Sequence, residues 1–267
     1  MYPISDRNKS MIFNPLIVVA SQLGLSQENT NKNDLNHNIK QLKRTFQKVS
    51  DSGIGSVIVD GTSDDQVEEM KAAGAYAVKT DLATFGKDHN YRSNSGLERI
   101  AATVNRFDRY YTHDIVVAVP DNMAELKSFH MQALMYALAT TEVGIATLVS
   151  PLIENDFENL DVIKTSMNWN NDRVVHPLEG SRVGTLLNIS RKSNSLNFEN
   201  CFRWVPIHAW RRGTLDKLVR LPPCDREFEE GTDLVRAHEA GMRIDATLVF
   251  DDMKVLISPS ELVGDEI

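Results

Sequence analysis

The sequence contains two cysteines, residues that can act as nucleophiles or soft metal ligands, and they are widely spaced. Cys201 and Cys224 show no CxxC spacing and have no histidine pair nearby, so neither a structural zinc site nor a disulfide framework is indicated. This usage is typical of a reducing compartment. His208 lies between two tryptophans in the segment RWVPIHAWR. A lone histidine beside aromatic residues on a strand either contacts a ligand or belongs to the core, and both interpretations remain open here.

The composition is that of a soluble globular protein. The chain has 267 residues, of which 42% are hydrophobic and 25% charged, and its net charge is -8. This acidic balance argues against a broad nucleic-acid surface but leaves room for a local basic pocket that binds a phosphorylated ligand. No apolar run reaches the roughly 20 residues that span a bilayer, and the N-terminus lacks the basic-then-apolar order of a signal peptide. We therefore expect a cytoplasmic protein that neither spans a membrane nor binds nucleic acid.

Strand and helix patterns alternate through the first half of the chain. Short apolar runs predict strands at 16–20, 56–59, 76–78 and 114–119. Helical spacing predicts helices at 35–49, 64–73, 98–107 and 124–139. The alternation predicts a parallel sheet with helices on both faces. Ligands of such sheets bind at the carboxyl ends of the strands, so chemistry is expected in the loops after Ala20, Val59 and Val119.

The second half has a different pattern. Polar segments rich in Asn, Asp, Pro and Gly separate predicted strands at 144–149, 162–167 and 183–189. A helix is predicted at 228–240, ending at Gly241, and a final strand at 244–250. These features predict that antiparallel strands extend the parallel sheet into a mixed one.

Several segments resemble the CMP-Kdo synthetases, the 3-deoxy-manno-octulosonate cytidylyltransferases. LPPCDREFEEGTDLVRAHEAG, followed by MRIDATLVF, is similar to the family's Pro-Ser-Pro-Leu-Glu segment, Glu-rich helix and following strand. HAWRRGTL is similar to its Tyr-Gly-Tyr-Arg-x-Gly-Phe-Leu, and NISRK to its Phe-Ser-Arg. SGIGSVIVDGTSDDQVEEMKAAGAYAVKT resembles its second strand, helix and third strand. The resemblance covers roughly residues 35 to 262.

The resemblance implies a fold, an activity and an assembly. The implied fold is an α/β fold like that of the nucleotide-diphospho-sugar transferases (GT-A-like), with a mixed, mainly parallel sheet. A single domain over 1–267 would contain a nucleotide-binding half, 1–150, and a sugar-acid and dimerisation half, 151–267. The family transfers CMP from CTP to an eight-carbon sugar acid with Mg²⁺, releases pyrophosphate and is usually homodimeric. Such a transfer depends on positioned cations more than on covalent chemistry.

The nucleotide-binding residues follow from the resemblance. SGLER, with Ser95, Gly96, Glu98 and Arg99, resembles the family segment beside the cytidine nucleotide. The family's triphosphate loop, Pro-Ala-Arg-x-x-Ser-x-Arg-x-Pro-Gly-Lys, corresponds here to VVASQLGLSQENTNKNDL, which contains no arginine and no Pro-Gly turn. Lys32 is the residue that could replace the family's lysine. The alternative is that this region is an uncharged surface loop.

The metal-binding aspartates of the family are not clearly retained. An ungapped comparison with the motif Gly-Asp-Glu-Pro places Asn122 at the first aspartate, whereas deletion of one residue places Asp121 there. Pro120, Asp121 and Asn122 could equally form a turn that caps the next helix. The second aspartate falls at Ile257, and isoleucine cannot bind a metal. The Mg²⁺ that the family implies is therefore doubtful here, with Asp121 as its candidate ligand.

The resemblance also suggests sugar-acid contacts at Arg191, His208 and Glu227. Arg191 follows a strand and would meet a carboxylate or phosphate, or else belong to a buried structural ion pair.

Two functions remain in competition. The first is a divergent cytidylyltransferase of surface polysaccharide biosynthesis, with weak or lost transfer of CMP to a 3-deoxy sugar acid. The second is a catalytically silent protein of the same fold that binds a nucleotide, a sugar or a partner.

Overall fold

A computed structural model describes residues 13–21, 32–80, 96–123, 125–174, 181–193 and 196–250. Within these ranges, nine strands form one sheet: β1 (Pro15–Ala20), β2 (Ser56–Gly61), β3 (Tyr76–Lys79), β4 (Ile115–Pro120), β5 (Ile145–Pro151), β6 (Lys164–Val174), β7 (Arg182–Ser190), β8 (Cys201–Arg211) and β9 (Ile244–Leu248). The same described residues contain eight α-helices: α1 (Lys32–Asp51), α2 (Asp64–Ala72), α3 (Gly96–Phe107), α4 (Ser128–Ala137), α5 (Glu154–Phe157), α6 (Arg212–Val219), α7 (Asp225–Glu230) and α8 (Leu234–Glu239). Within the described ranges, no helix is long and apolar enough to cross a bilayer.

The sheet order is β3-β2-β1-β4-β8-β5-β9-β7-β6. Strands β3, β2, β1 and β4 are parallel, which confirms the contiguous sheet predicted for the first half. β8 enters between β4 and β5 and is antiparallel to both. The antiparallel additions of the second half are therefore confirmed as well.

The second half closes on itself. β6 pairs with β7 along most of its length, and its first residues also pair with the start of β8. Strands β8, β5, β9, β7 and β6 thus form a ring in which each strand has two neighbours.

Helices cover both faces of the sheet. Every residue of β1 is buried, although successive side chains of a strand point to opposite faces. Ile17 and Val19 pack with residues of α1, α2 and α4. Leu16, Val18 and Ala20 pack with residues of α3, α6 and α8. The α3 face also carries the polar groups described below.

Several predicted boundaries were wrong. α4 begins at Ser128 instead of 124, and β6 continues to Val174 instead of ending at 167. The single helix predicted at 228–240 is two helices, α7 and α8, because Gly231 adopts a left-handed conformation with φ of 70° and ends α7. Strand β8 and helix α6 were absent from the prediction based on apolar periodicity.

Candidate functional site

Three polar residues meet at the carboxyl edge of the parallel strands. Ser21 follows β1, Asp60 lies near the end of β2, and Asp121 follows β4. The Ser21 amide donates to the carbonyl of Asp60 at 3.1 Å, and the Asp121 amide donates to that of Ala20 at 3.2 Å. Thr45 of α1 donates its hydroxyl to the Asp121 carbonyl at 2.7 Å. These hydrogen bonds hold the backbone at the ends of β1, β2 and β4 in place.

Arg99 of α3 reaches into the same edge. Its Nε donates to Asp60 Oδ2 at 3.2 Å, its Nη2 lies 3.0 Å from that oxygen, and its Nη1 donates to the Ser21 carbonyl at 2.9 Å. The other Asp60 oxygen accepts the amide of Thr80, which follows β3. Burial raises the pKa of Asp60 above its ordinary value, and the Arg99 guanidinium opposes that rise. Arg99 and Asp60 thus join the ends of β1, β2 and β3.

A second polar cluster lies on the same face and is centred on Arg236 of α8. Arg236 Nη2 and Nε donate to the two carboxylate oxygens of Glu227 at 2.6 and 2.7 Å. Its Nη1 donates to Glu98 Oε1 of α3 at 2.8 Å. The Arg236 side chain is 2% exposed, so both ion pairs are shielded from water. Glu98 and Arg99 are neighbours in α3, so the Arg236 cluster adjoins the Asp60 edge.

His208 of β8 lies beside this second cluster. Its ring stacks on Trp210 with 5.3 Å between ring centroids and meets the edge of Trp204 at 5.1 Å. Its Nδ1 is 3.6 Å from Asp233 Oδ1, which is longer than a hydrogen bond. Burial lowers the pKa of His208 to about 3, so the imidazole is neutral at physiological pH. Burial, together with the nearby Glu227 carboxylate, raises the pKa of Asp233 to about 7.

Most of the predicted site residues that are described lie on this face. Gly96 begins α3 and is followed by Glu98 and Arg99, while Glu227 and His208 belong to the neighbouring cluster. Arg191 makes its hydrogen bonds to Glu230 and to the carbonyls of Leu160 and Asp161. The Lys32 side chain, Ser95 and residues 251–267 with Ile257 lie outside the described residues.

Sequence reasoning assigned no site role to Asp60, Asp233 or Arg236. Asp60 directly follows the apolar run SVIV. A carboxylate at the end of a predicted strand was the signal from which its role could have been found. Arg236 and Asp233 lie in the Glu-rich segment. Arg236 pairs with Glu227 of the same segment and with the distant Glu98, whereas Asp233 lies near His208 of β8. Across the described residues, no group of three or more His, Cys, Asp or Glu side chains is placed to hold a metal ion.

The fold, one mixed sheet with helices on both faces, is similar to that of solved cytidylyltransferases. The structure of CMP:2-keto-3-deoxy-manno-octonic acid synthetase complexed with CTP matches with a TM-score of 0.68 and 18% identity, over 93% of this chain and 95% of that chain. A 4-diphosphocytidyl-2C-methyl-D-erythritol synthase matches with a TM-score of 0.54 and 9% identity, over 93% and 95% of the two chains. These likenesses confirm the predicted fold class.

Proteins related to this chain in sequence are named 3-deoxy-manno-octulosonate cytidylyltransferases. That of Rhodospirillum rubrum is 29% identical over 80% of this chain and 79% of its own length. That of Methylobacterium radiotolerans is 29% identical over 81% of each chain, and that of Methylorubrum extorquens 26% identical over 93% and 94%. No protein-family model matches the chain. The resemblance to the CMP-Kdo synthetases is thereby confirmed across most of the sequence.

Proposed function

We propose that this protein is a divergent cytidylyltransferase-like protein that binds a cytidine nucleotide and a 3-deoxy sugar acid but transfers CMP weakly or not at all. The observation that carries this proposal is Arg99, a guanidinium fixed by Asp60 at the carboxyl edge where ligands of such sheets bind. Ser95, Gly96, Glu98 and Lys32 complete the predicted nucleotide site. Arg191, His208 and Glu227 remain the predicted sugar-acid residues.

The nucleotide part of the proposal is supported by position and hydrogen-bonding capacity. Arg99 is nearly buried, and its guanidinium lies at the ends of β1 and β2, where the Asp60 carboxylate offsets its charge. A guanidinium has five N–H donors, so Arg99 can donate to a phosphate oxygen as well as to Asp60 and the Ser21 carbonyl. The curated relatives are named for cytidylyl transfer, and the most similar fold described above is a complex with CTP.

The described residues fit a magnesium site poorly, which supports weak or lost transfer. Asp60 would have to release Arg99 before it could bind a cation. Asp121 is the carboxylate after β4, but its neighbour Asn122 offers an amide, a weaker Mg²⁺ ligand. If Ile257 stands at the second aspartate, as the resemblance implies, one carboxylate ligand is lost.

Calorimetric titrations test the proposal, with CTP, CMP and 3-deoxy-manno-octulosonate each titrated with Mg²⁺ and with EDTA. We expect CTP to bind with an affinity that EDTA leaves unchanged. Arg99→Met should abolish that binding, whereas Arg106→Met, an exposed arginine on the same helix, should not. Absence of CTP binding by the unmodified protein would contradict the nucleotide assignment.

A pyrophosphate-release assay separates the two candidate functions. A catalytically silent protein releases no pyrophosphate from CTP and 3-deoxy-manno-octulosonate in the presence of Mg²⁺, and a weak enzyme releases it slowly. Rapid release that is lost with EDTA and in Asp121→Ala would show that Asp121 is a working metal ligand and that full catalysis is retained.

A further inference from the structure

A cleft of about 700 Å³ opens where β6, β7 and β9 lie side by side in the sheet. Polar side chains dominate its lining, in contrast to the apolar packing on either side of β1. The lining residues used below are Asn168, Trp169, Arg173, Thr185, Arg243 and Asp245. We call this the β6–β9 cleft.

The β6–β9 cleft lies apart from the candidate nucleotide site. β9 is parallel to β5, and β5 and β4 are both antiparallel to β8, so β9 runs in the same direction as β4 and its parallel neighbours β1 and β2. Asp245 is the second residue of β9, whereas Asp60 lies near the end of β2. The cleft is therefore at the amino ends of these strands, and the pair of Arg99 with Asp60 is at the carboxyl ends.

Two guanidiniums share one carboxylate in the cleft. The buried Asp245 accepts from Arg173 Nη1 and from the Thr185 hydroxyl. It also accepts from Arg243 Nε and Nη2, at 2.9 and 3.1 Å. Because one carboxylate balances one cation, a positive charge remains in excess. Glu142 also lies near Arg243, but its side chain is 77% exposed and water screens its charge.

The excess charge belongs to Arg243, because Arg173 is fully engaged by the protein. Arg173 Nη2 donates to the carbonyls of Tyr136 and Ala137, at 3.2 and 2.9 Å. Together with its bond to Asp245, these contacts fasten Arg173 between the end of α4 and β9. Arg173 therefore neutralises Asp245, and Arg243 faces the cleft with its charge uncompensated.

One side of the Arg243 guanidinium is available to a ligand. Asp245 occupies the side formed by Nε and Nη2. Nη1 makes no hydrogen bond to any described residue, since Glu142 Oε2 at 3.7 Å is too distant for one. Nη1 and the second hydrogen of Nη2 form a fork that matches the two oxygens of a phosphate or a carboxylate. The side chain is 38% exposed, so a ligand reaches it from solvent.

Trp169 forms an aromatic wall of the cleft. The Arg182 guanidinium lies 4.4 Å from the centroid of its ring, and the Phe202 ring meets it edge-on at 4.9 Å. These contacts hold the indole in place, and Arg182 brings a further positive charge beside the cleft. Such charge favours an anionic occupant, even though the whole chain carries a net charge of -8.

We propose that the β6–β9 cleft binds the oxyanion group of a small molecule, a phosphate or a carboxylate, with Arg243 as the residue that contacts it. Asp245 orients Arg243, and Arg173 keeps the carboxylate of Asp245 from cancelling the charge of the site. The ligand is a second one, bound at the opposite edge of the sheet from the nucleotide, so this inference does not depend on the proposed function.

The experiment follows the indole N–H signals of the three tryptophans by nitrogen-15 NMR. The signal of Trp169 is the one that is missing in Trp169→Phe. The protein is titrated with inorganic phosphate and, separately, with citrate, and sodium chloride keeps the ionic strength constant. We expect the Trp169 signal to shift and to saturate with at least one of the two anions.

Variants of exposed side chains identify the binding residue without disturbing the core. Arg243→Gln should bind the anion at least about tenfold more weakly, because it loses a charge-assisted pair of hydrogen bonds. Glu142→Gln should bind it up to about fivefold more tightly, because a competing carboxylate is removed. Arg220→Gln, at an exposed arginine that follows α6, is the matched control and should leave the affinity unchanged.

The two anions distinguish the sources of the oxyanion. Saturation with phosphate alone assigns the cleft to a phosphorylated compound, and saturation with citrate alone assigns it to a carboxylic acid. No saturable shift of Trp169 with either anion would overturn the inference, as would equal affinity in Arg243→Gln. Failure of CTP to bind while phosphate or citrate shifts Trp169 would contradict the proposed function alone, and the reverse result would contradict this inference alone.

Discussion

Arg236 of α8 donates to Glu98 of α3 at 2.8 Å, across 138 positions of sequence. The contact joins α3, which contains Glu98 and Arg99 of the predicted nucleotide site, to α8, which follows the predicted sugar-acid residue Glu227 in the chain. Because Arg236 also holds Glu227, it connects three helices through one guanidinium. Arg236 therefore links the two halves of the candidate site directly.

Substitution of Arg236 by Met should destabilise the fold by about 3–5 kcal/mol, since it leaves buried Glu227 and Glu98 without their cation. Urea unfolding followed by circular dichroism measures the change. Lys43→Met is the control, because the ion pair of Lys43 with Glu69 is half-exposed and should contribute less than about 1 kcal/mol. An equal loss of unfolding free energy in the two variants would show that the buried ion pairs of Arg236 contribute no more than an exposed pair.

Substitution of Asp60 by Asn should weaken CTP binding about tenfold, or about 1.4 kcal/mol, because the carboxylate that orients Arg99 loses its charge. Calorimetric titration measures the affinity. Asp64→Asn alters a carboxylate just after the same strand, but this one is exposed and paired with Lys79. Unchanged CTP binding in Asp60→Asn would show that Asp60 does not position Arg99.

Asp108 should make the stability depend on pH in the acid range. Burial opposes its ionisation, but hydrogen bonds from Thr112 and His113 lower the pKa of Asp108 to about 2. A lowered carboxyl pKa contributes stability that is fully present above the ordinary value, about 4, and is lost as pH falls towards 2. Asp108→Asn should cost about 2 kcal/mol at pH 7, and its stability should converge with that of the unmodified protein near about pH 2. A constant difference over this range would refute the assignment.

Gly55 has no room for a side chain before β2. A Cβ there would lie 2.1 Å from the carbonyl oxygen of Pro15, a backbone atom of β1. Gly55→Ala should therefore separate β1 from β2 and lower Tm by several degrees, about 1 kcal/mol or more. A Cβ on Gly213 of α6 would meet nothing within 4 Å, so Gly213→Ala should be neutral or stabilising. Thermal unfolding of both variants measures the two changes in Tm.

We expect a homodimer that uses the second-half strands, as the family resemblance implies. Leu187 of β7 is 52% exposed and offers apolar surface there. A stable interface should bury more than about 1,000 Å² in total. Light scattering at micromolar concentration should give about twice the 30.0 kDa chain mass. Detection of the monomer alone would refute this expectation, and Leu187→Lys should weaken the dimer.

The strands of the first half could be predicted because their sequences carry the signal locally. LIVVA and IVVAV are continuous apolar runs, as expected for strands that are buried on both faces. Strand β8 carries no such run, and Pro206 argues against a central strand. The structure accommodates Pro206 where the register of β5 against β8 shifts between Thr147 and Leu148. That irregularity depends on the partner strand and could not be inferred from β8 alone.

Site residues could be predicted where the family resemblance pointed to a segment. They could not be predicted where a role depends on contacts with distant parts of the chain. Glu98, Arg99, Glu227 and His208 were named from motifs, and all four lie on one face. The pairing of Arg99 with Asp60 joins residues 39 positions apart through a helix and a strand. No local pattern encodes that contact, because it arises only when α3 packs on β1 and brings Arg99 to the end of the neighbouring β2.

The insertion of β8 between β4 and β5 has a consequence for synthesis on the ribosome. β4 is complete at residue 120, but the strand that pairs with its second edge ends at residue 211. About 90 residues must therefore be added first, which takes about 5–20 s at 5–20 residues per second. During that interval the nascent chain exposes the unpaired edge of β4, whose residues are all apolar. We therefore expect chaperones to bind this segment before the sheet is complete.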